Sequence, residues 1–176
     1  MTKNKIRDNQ RKRVYLFQRN INVGKKFATI SEAQKFCDFY FDLLQSFLLK
    51  VNPNREIVPN PKIMKPHGNR KRKSTYKVKA NTINCRYERL RERVIIHELC
   101  HALNTYKNYK GKRRTIGAGH GKEYATIFVF ALIVWACETN KGINVWYLAD
   151  KSGIKYDNAI VKQLFKHYQD YNLNNQ

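Results

Sequence analysis

The residues most able to do chemistry in this sequence stand together, as His97-Glu98-Leu99-Cys100-His101. Positions four apart share one face of an α-helix, one turn apart, so two imidazoles at this spacing converge on a single metal ion. Glu98 projects beside them and can take a proton from water at the ion without filling a coordination position. A catalytic zinc takes three protein ligands and keeps one position open. Among the other histidines, His67 lies in a basic, proline-rich stretch and His167 on a final helix. His120 lies in Gly117-Ala118-Gly119-His120-Gly121, where glycines permit a close backbone approach. Glu123, one turn further on, competes with His120 for the role of third ligand.

Elements must hold these groups in place. Residues 87–106 read as a helix that is apolar on most of its circumference, the pattern of a helix buried near a domain centre. A polar loop over residues 107–119 leads to a second buried helix, 121–138. Upstream, Ser31 with Gln34 forms a capping box, and Phe36, Phe39, Tyr40, Leu43, Leu44, Phe47, Leu48 and Val51 follow helical spacing. Alternation of apolar and polar residues over 75–86 predicts one or two strands, and Glu56-Ile57-Val58 and Val14-Tyr15-Leu16-Phe17 read as further short ones. Residues 142–152 look irregular, and Asp157 caps a last amphipathic helix. The expected class is α+β: a small antiparallel or mixed sheet packed on the buried His-Glu helix and its neighbours. Residues 31–176 form one domain in this reading, behind a basic arm, 1–30.

Charge is the second signal. Thirty-five Lys and Arg face thirteen Asp and Glu, a net charge of +22. Residues 62–79 carry eight basic side chains and no acidic one. Such a field attracts polyanions, so Arg70, Lys71, Arg72, Lys73, Lys112, Arg113 and Arg114 are the expected nucleic-acid contacts, with DNA or another polyanion the expected partner. The four cysteines include no closely spaced pair, which argues against a disulfide framework or a zinc ribbon and fits a reducing compartment. No apolar leader opens the sequence, and the longest uncharged run is too short to span a bilayer, so a soluble cytoplasmic protein is expected.

Two motifs in order, His97-Glu98-Leu99-Cys100-His101-Ala102 and Gly119-His120-Gly121-Lys122-Glu123-Tyr124, resemble those of the SprT-like (Spartan-type) zinc metallopeptidases. The resemblance is best over residues 75–137. It implies a minimal zincin fold, one catalytic zinc on His97, His101 and His120, and Glu98 as catalytic base. It also implies hydrolysis of peptide bonds in proteins held at DNA. Many members carry a zinc ribbon of paired cysteines, which has no counterpart in these 176 residues. A strand from residues 75–86 is expected to form the cleft edge and pair with an extended substrate. Tyr106, Tyr109, Tyr124 and Tyr147 are candidates to stabilise the oxyanion. The rival reading is a zinc-containing nucleic-acid-binding or structural protein without proteolytic activity, for which Glu98 would have no use.

Overall fold

A computed structural model describes residues 10–21, 24–65, 74–107, 112–117 and 119–174, with the backbone alone at 87, 107 and 113. The chain runs α1 (Arg11–Asn20), α2 (Ile30–Val51), β1 (Lys62–Met64), β2 (Thr75–Lys77), β3 (Thr82–Asn84), α3 (Glu92–Leu103) and β4 (Thr105–Lys107). It continues through β5 (Arg113–Thr115), α4 (Lys122–Glu138), α5 (Val145–Lys151) and α6 (Asn158–Leu173). This is a mixed α+β architecture. No described helix is long and apolar enough to cross a membrane.

Helix α4 explains the layout. Every residue from 124 to 136 is buried, so the helix has no face to give to water and neighbours must enclose it. Helices α3, α5 and α6 pack against it, while α2 packs on both α3 and α6. Phe47 of α2 meets Phe130 of α4 and Tyr168 of α6 edge-on, at 6.0 and 5.9 Å between ring centroids. Fully burying a large apolar side chain contributes about 1.5–3 kcal/mol, so the aromatic centre supplies much of the drive to fold. Asp157 caps α6 as expected, accepting from the Ile160 N–H at 3.2 Å.

The three-stranded sheet has the order β1-β3-β2, with β1 parallel and β2 antiparallel to β3. Strand β2 is therefore an edge. Its turn into β3 needs a left-handed residue, which Asn81 provides at φ +48°. The Asn81 amide donates to the carbonyls of Pro59 and Asn60, and its oxygen accepts from the Tyr76 hydroxyl at 2.7 Å.

Several local expectations give way. Val14-Tyr15-Leu16-Phe17 belongs to helix α1, not a strand: Val14, Phe17 and Ile21 are buried at helical spacing while Leu16 is 48% exposed. Thr29 rather than Ser31 caps α2, accepting from the Glu32 N–H at 3.0 Å, and the Glu32 carboxylate reaches back to the Ala28 N–H. Glu56-Ile57-Val58 forms no ladder, because the Val58 N–H is taken by the Gln45 side chain; the strand lies at β1 instead. Helix α3 starts five residues later than expected, since Arg91 is extended and bridges to Lys26 behind a 3-10 turn at Tyr87–Arg89. Helix α3 also ends earlier than expected, at Leu103: residues 105 and 106 belong to β4, which pairs with β5 inside the loop expected over 107–119. The irregular stretch expected over 142–152 contains α5, capped by the Asn144 side chain and followed by Gly153 at φ +65°.

Candidate metal centre

Three imidazoles meet where α3 passes the start of α4. His97 and His101 project from α3 one turn apart. His120 sits just before α4, and Tyr124, the first aromatic residue of that helix, lies against all three rings. Tyr124 stacks on His101 with centroids 4.3 Å apart and meets His120 and His97 edge-on. Its hydroxyl donates to the His97 backbone carbonyl at 3.2 Å, tying α4 to the turn that carries the first histidine. One turn further along, Phe128 stacks on Tyr124 and turns its edge to His97. Glu92 closes the bundle at the other end of α3, accepting from the Lys25 N–H at 2.9 Å and from the Trp135 indole at 3.1 Å.

The histidine nitrogens point at one another. His97 Nε2 lies 3.3 Å from His101 Nε2 and 3.3 Å from His120 Nε2, and the three residues form one group able to hold a metal ion. Two ligands at about 2.05 Å from a tetrahedral ion are about 3.3 Å apart, so the observed spacing suits a metal–imidazole site. Neutral rings cannot satisfy three converging nitrogens with protons, whereas one cation accepts all three lone pairs. Burial, followed by the neighbouring imidazoles and Arg11, holds His97 well below the usual imidazole range. Burial and His120 push His101 down to about 3. Both rings are therefore neutral near pH 7, the form that ligates metal. His97 Nδ1 is buried without a hydrogen-bond partner among the described residues.

Glu98 faces the same space from α3. Its Oε2 accepts from the Tyr76 N–H of β2 at 2.7 Å, so the free edge of the sheet is turned toward the carboxylate. Burial raises this carboxyl to about 7, with the Tyr76 N–H pulling the other way. A bound cation would pull it down as well. A cavity of about 190 Å³ brings together the three histidines, Glu98 and the β2 edge.

Glu123, the competing ligand, is exposed, with its carboxylate beside Gly117 rather than with the imidazoles. A side chain at Gly117 would come within 2.9 Å of that carboxylate, and φ there is +63°, a conformation glycine adopts without steric cost. His167 lies on α6, outside the group, and His67 lies outside the described residues. Of the tyrosines expected near the reacting carbonyl, Tyr124 has its hydroxyl committed to His97, while Tyr106 and Tyr147 are 43% and 57% exposed. Tyr109 is outside the described residues. A second tyrosine reaches the centre beside Tyr124: Tyr15 of α1, absent from the sequence-based candidates. Its ring stacks on His97 at 5.4 Å and 17°, and lies 5.6 Å from His120. The spacing of Lys12, Tyr15, Leu16 and Arg19 along one helical stripe was the available signal.

Among the expected nucleic-acid contacts, Lys112 and Arg114 are exposed on or beside β5 and Arg113 has a described backbone only. Arg70, Lys71, Arg72 and Lys73 lie outside the described residues. All four cysteines are free, and three of them are buried. No protein-family model, curated protein or solved structure matches this chain.

Proposed function

We propose that this chain is a zinc-dependent metallopeptidase of the SprT-like type, with a minimal zincin-like core. The observation that carries the reading is the convergence of three imidazoles, with His97 Nε2 3.3 Å from both His101 Nε2 and His120 Nε2, beside a buried carboxylate. Nitrogen-only ligation by three histidines suits zinc among the biological divalent ions, and three ligands leave a fourth position for chemistry. A purely structural zinc would have four closed ligands, and the described residues bring together three.

His97, His101 and His120 would hold the ion through Nε2. When bound, the ion supplies a Lewis acid that acidifies water and polarises a peptide carbonyl. Glu98 is the proton carrier: with Oε2 fixed by the Tyr76 N–H, Oε1 remains to take a proton from the attacking water and return it to the leaving amine. The β2 edge lies beside that carboxylate and offers backbone groups to an extended peptide. Tyr15 covers the His97 ring and limits access of bulk water to it. The charge of +22 supports proteins associated with DNA as the substrate class and a polyanion as partner, through Lys112, Arg114 and the neighbouring basic segments.

The test compares wild type with Glu98→Gln on a denatured protein, with and without single-stranded DNA. The expected result is equal zinc content, with cleavage in the variant reduced by about 10²–10⁴-fold. Equal inactivity of both proteins, with metal and salt-sensitive DNA binding intact, would replace this reading with that of a non-proteolytic binding protein.

A further inference from the structure

A second, larger cleft opens from the metal centre. Its volume is about 660 Å³, and its inner end is formed by His97 and Glu98. One wall is α1, which presents Lys12, Tyr15, Leu16 and Arg19; the other is the 3-10 turn and the first turn of α3, with Arg89, Arg93 and Val94. Lys12, Leu16 and Arg19 recur at helical spacing, on the side of α1 opposite the buried Val14, Phe17 and Ile21. The two walls are joined by the Gln18 side chain, which donates to the Arg93 carbonyl at 3.3 Å, so the cleft is preformed.

Its charge is one-sided. Four of the eleven described lining residues are basic, against 35 of 176 in the chain, and Glu98, at the inner end, is the one acidic residue among those described. Lys12, Arg19 and Arg89 are exposed and have no ion-pair partner among the described residues. Cations on both walls focus a positive field inside the cleft, more strongly than the same charges spread over an open surface. Between them, Tyr15, Leu16 and Val94 provide apolar surface for the methylene stem of a side chain.

Resting on the peptidase reading, we propose that this cleft is a substrate subsite that selects a carboxylate-bearing side chain, glutamate or aspartate, close to the scissile bond. Lys12 and Arg19 on one wall and Arg89 and Arg93 on the other supply the countercharge. The confined, two-walled shape beside the proton carrier fits a peptide side chain better than a phosphodiester strand, whose basic tracks run along open grooves. The general basic surface draws in nucleic acid, whereas this cleft sorts peptides.

The test uses quenched fluorescent peptides that differ at one position, Glu, Gln or Lys, scanned along both sides of the scissile bond. They are given to wild type and to Lys12→Glu/Arg19→Glu, both exposed positions on α1. In wild type, kcat/KM for the best Glu peptide should exceed that of its Gln counterpart by about tenfold, and the double variant should prefer Lys over Glu. A misfolded variant would lose all peptides alike, and Arg89→Glu, on the other wall, then provides the second charge reversal. Identical Glu:Gln:Lys ratios in wild type and variants would overturn the proposal. So would loss of single-stranded oligonucleotide binding with peptide ratios unchanged, which would make nucleic acid the occupant. If wild type cleaves no peptide, the peptidase reading fails, and fluorescence anisotropy of the same peptides decides the subsite. Salt-sensitive preference for the Glu peptide, lost in the double variant, would uphold it, and equal binding of all three would end it.

Discussion

The candidate metal centre has two sides built on different principles. On one, α3 and α4 press His97, His101 and Tyr124 together inside an apolar bundle, and the residues of α4 from 124 to 136 never reach solvent. On the other, α1 covers His97 with a single ring, Tyr15, and keeps Lys12, Leu16 and Arg19 toward water. The first side is held by packing. The second is held by three buried side chains and a few hydrogen bonds, among them a reciprocal pair between the Gln10 side chain and the Lys155 backbone. On the proposed function, the difference separates two tasks. Ligand geometry needs a rigid floor, because imidazoles displaced by a fraction of an ångström no longer converge. Substrate capture needs an accessible wall whose charges remain hydrated until a partner arrives.

The largest expected effect tests the floor. Phe128→Ala empties the space against which His97 and Tyr124 both pack and should cost about 3–5 kcal/mol in denaturant unfolding, with weaker metal retention. A loss as small as that for a surface substitution would mean the floor is not rigid.

Acid should act on the same side. His97 and His101 have folded pKa values below the ordinary imidazole value, so the unfolded chain binds protons that the folded chain refuses. Their contribution to stability is complete above about pH 6.5 and is lost as pH falls below it, in the metal-free protein and in the loaded one. Thermal midpoints of metal-free Glu98→Gln, which removes the opposing titration of the raised Glu98 carboxyl, at pH 7.5 and at about pH 5.5 check this, and a higher midpoint at the lower pH would contradict it.

On the covering side, Gln10→Ala removes both bonds to Lys155 and should cost about 1–2 kcal/mol while leaving metal content unchanged. Hydrogen exchange should then rise in α1 and not in α3. Tyr15→Ala should have the smallest stability effect, about 1 kcal/mol, because the ring is only half-buried. Its larger consequence should be a change in kcat/KM with zinc still bound at one per chain. Loss of zinc on Tyr15→Ala would show that α1 belongs to the ligand scaffold and would erase the contrast.

The same contrast explains what the sequence disclosed. The floor was legible because its signals are redundant: ligand spacing in His97 and His101, a glycine-flanked His120, and an apolar run too long for a surface helix. The cap of α6 at Asp157 was legible for a similar reason, a polar capping residue directly before a periodic segment. The covering side was not. Four apolar residues in a row, Val14 to Phe17, fit a period of two as well as 3.6, and only the later burial of Ile21 distinguishes them. Without α1 as a helix, Tyr15 could not be placed over His97. Strands β4 and β5 are three residues each, too short for alternation to register, and α5 is a seven-residue helix whose order depends on its Asn144 cap. In these segments tertiary contacts choose between local conformations of similar energy.

The most direct test of the central claim is metal content, by mass spectrometry, of wild type, His120→Ala and Glu123→Ala purified under identical reducing conditions. The account predicts one zinc per chain in wild type and in Glu123→Ala, and its loss in His120→Ala. Wild type without metal, or metal lost from Glu123→Ala but kept by His120→Ala, would contradict it.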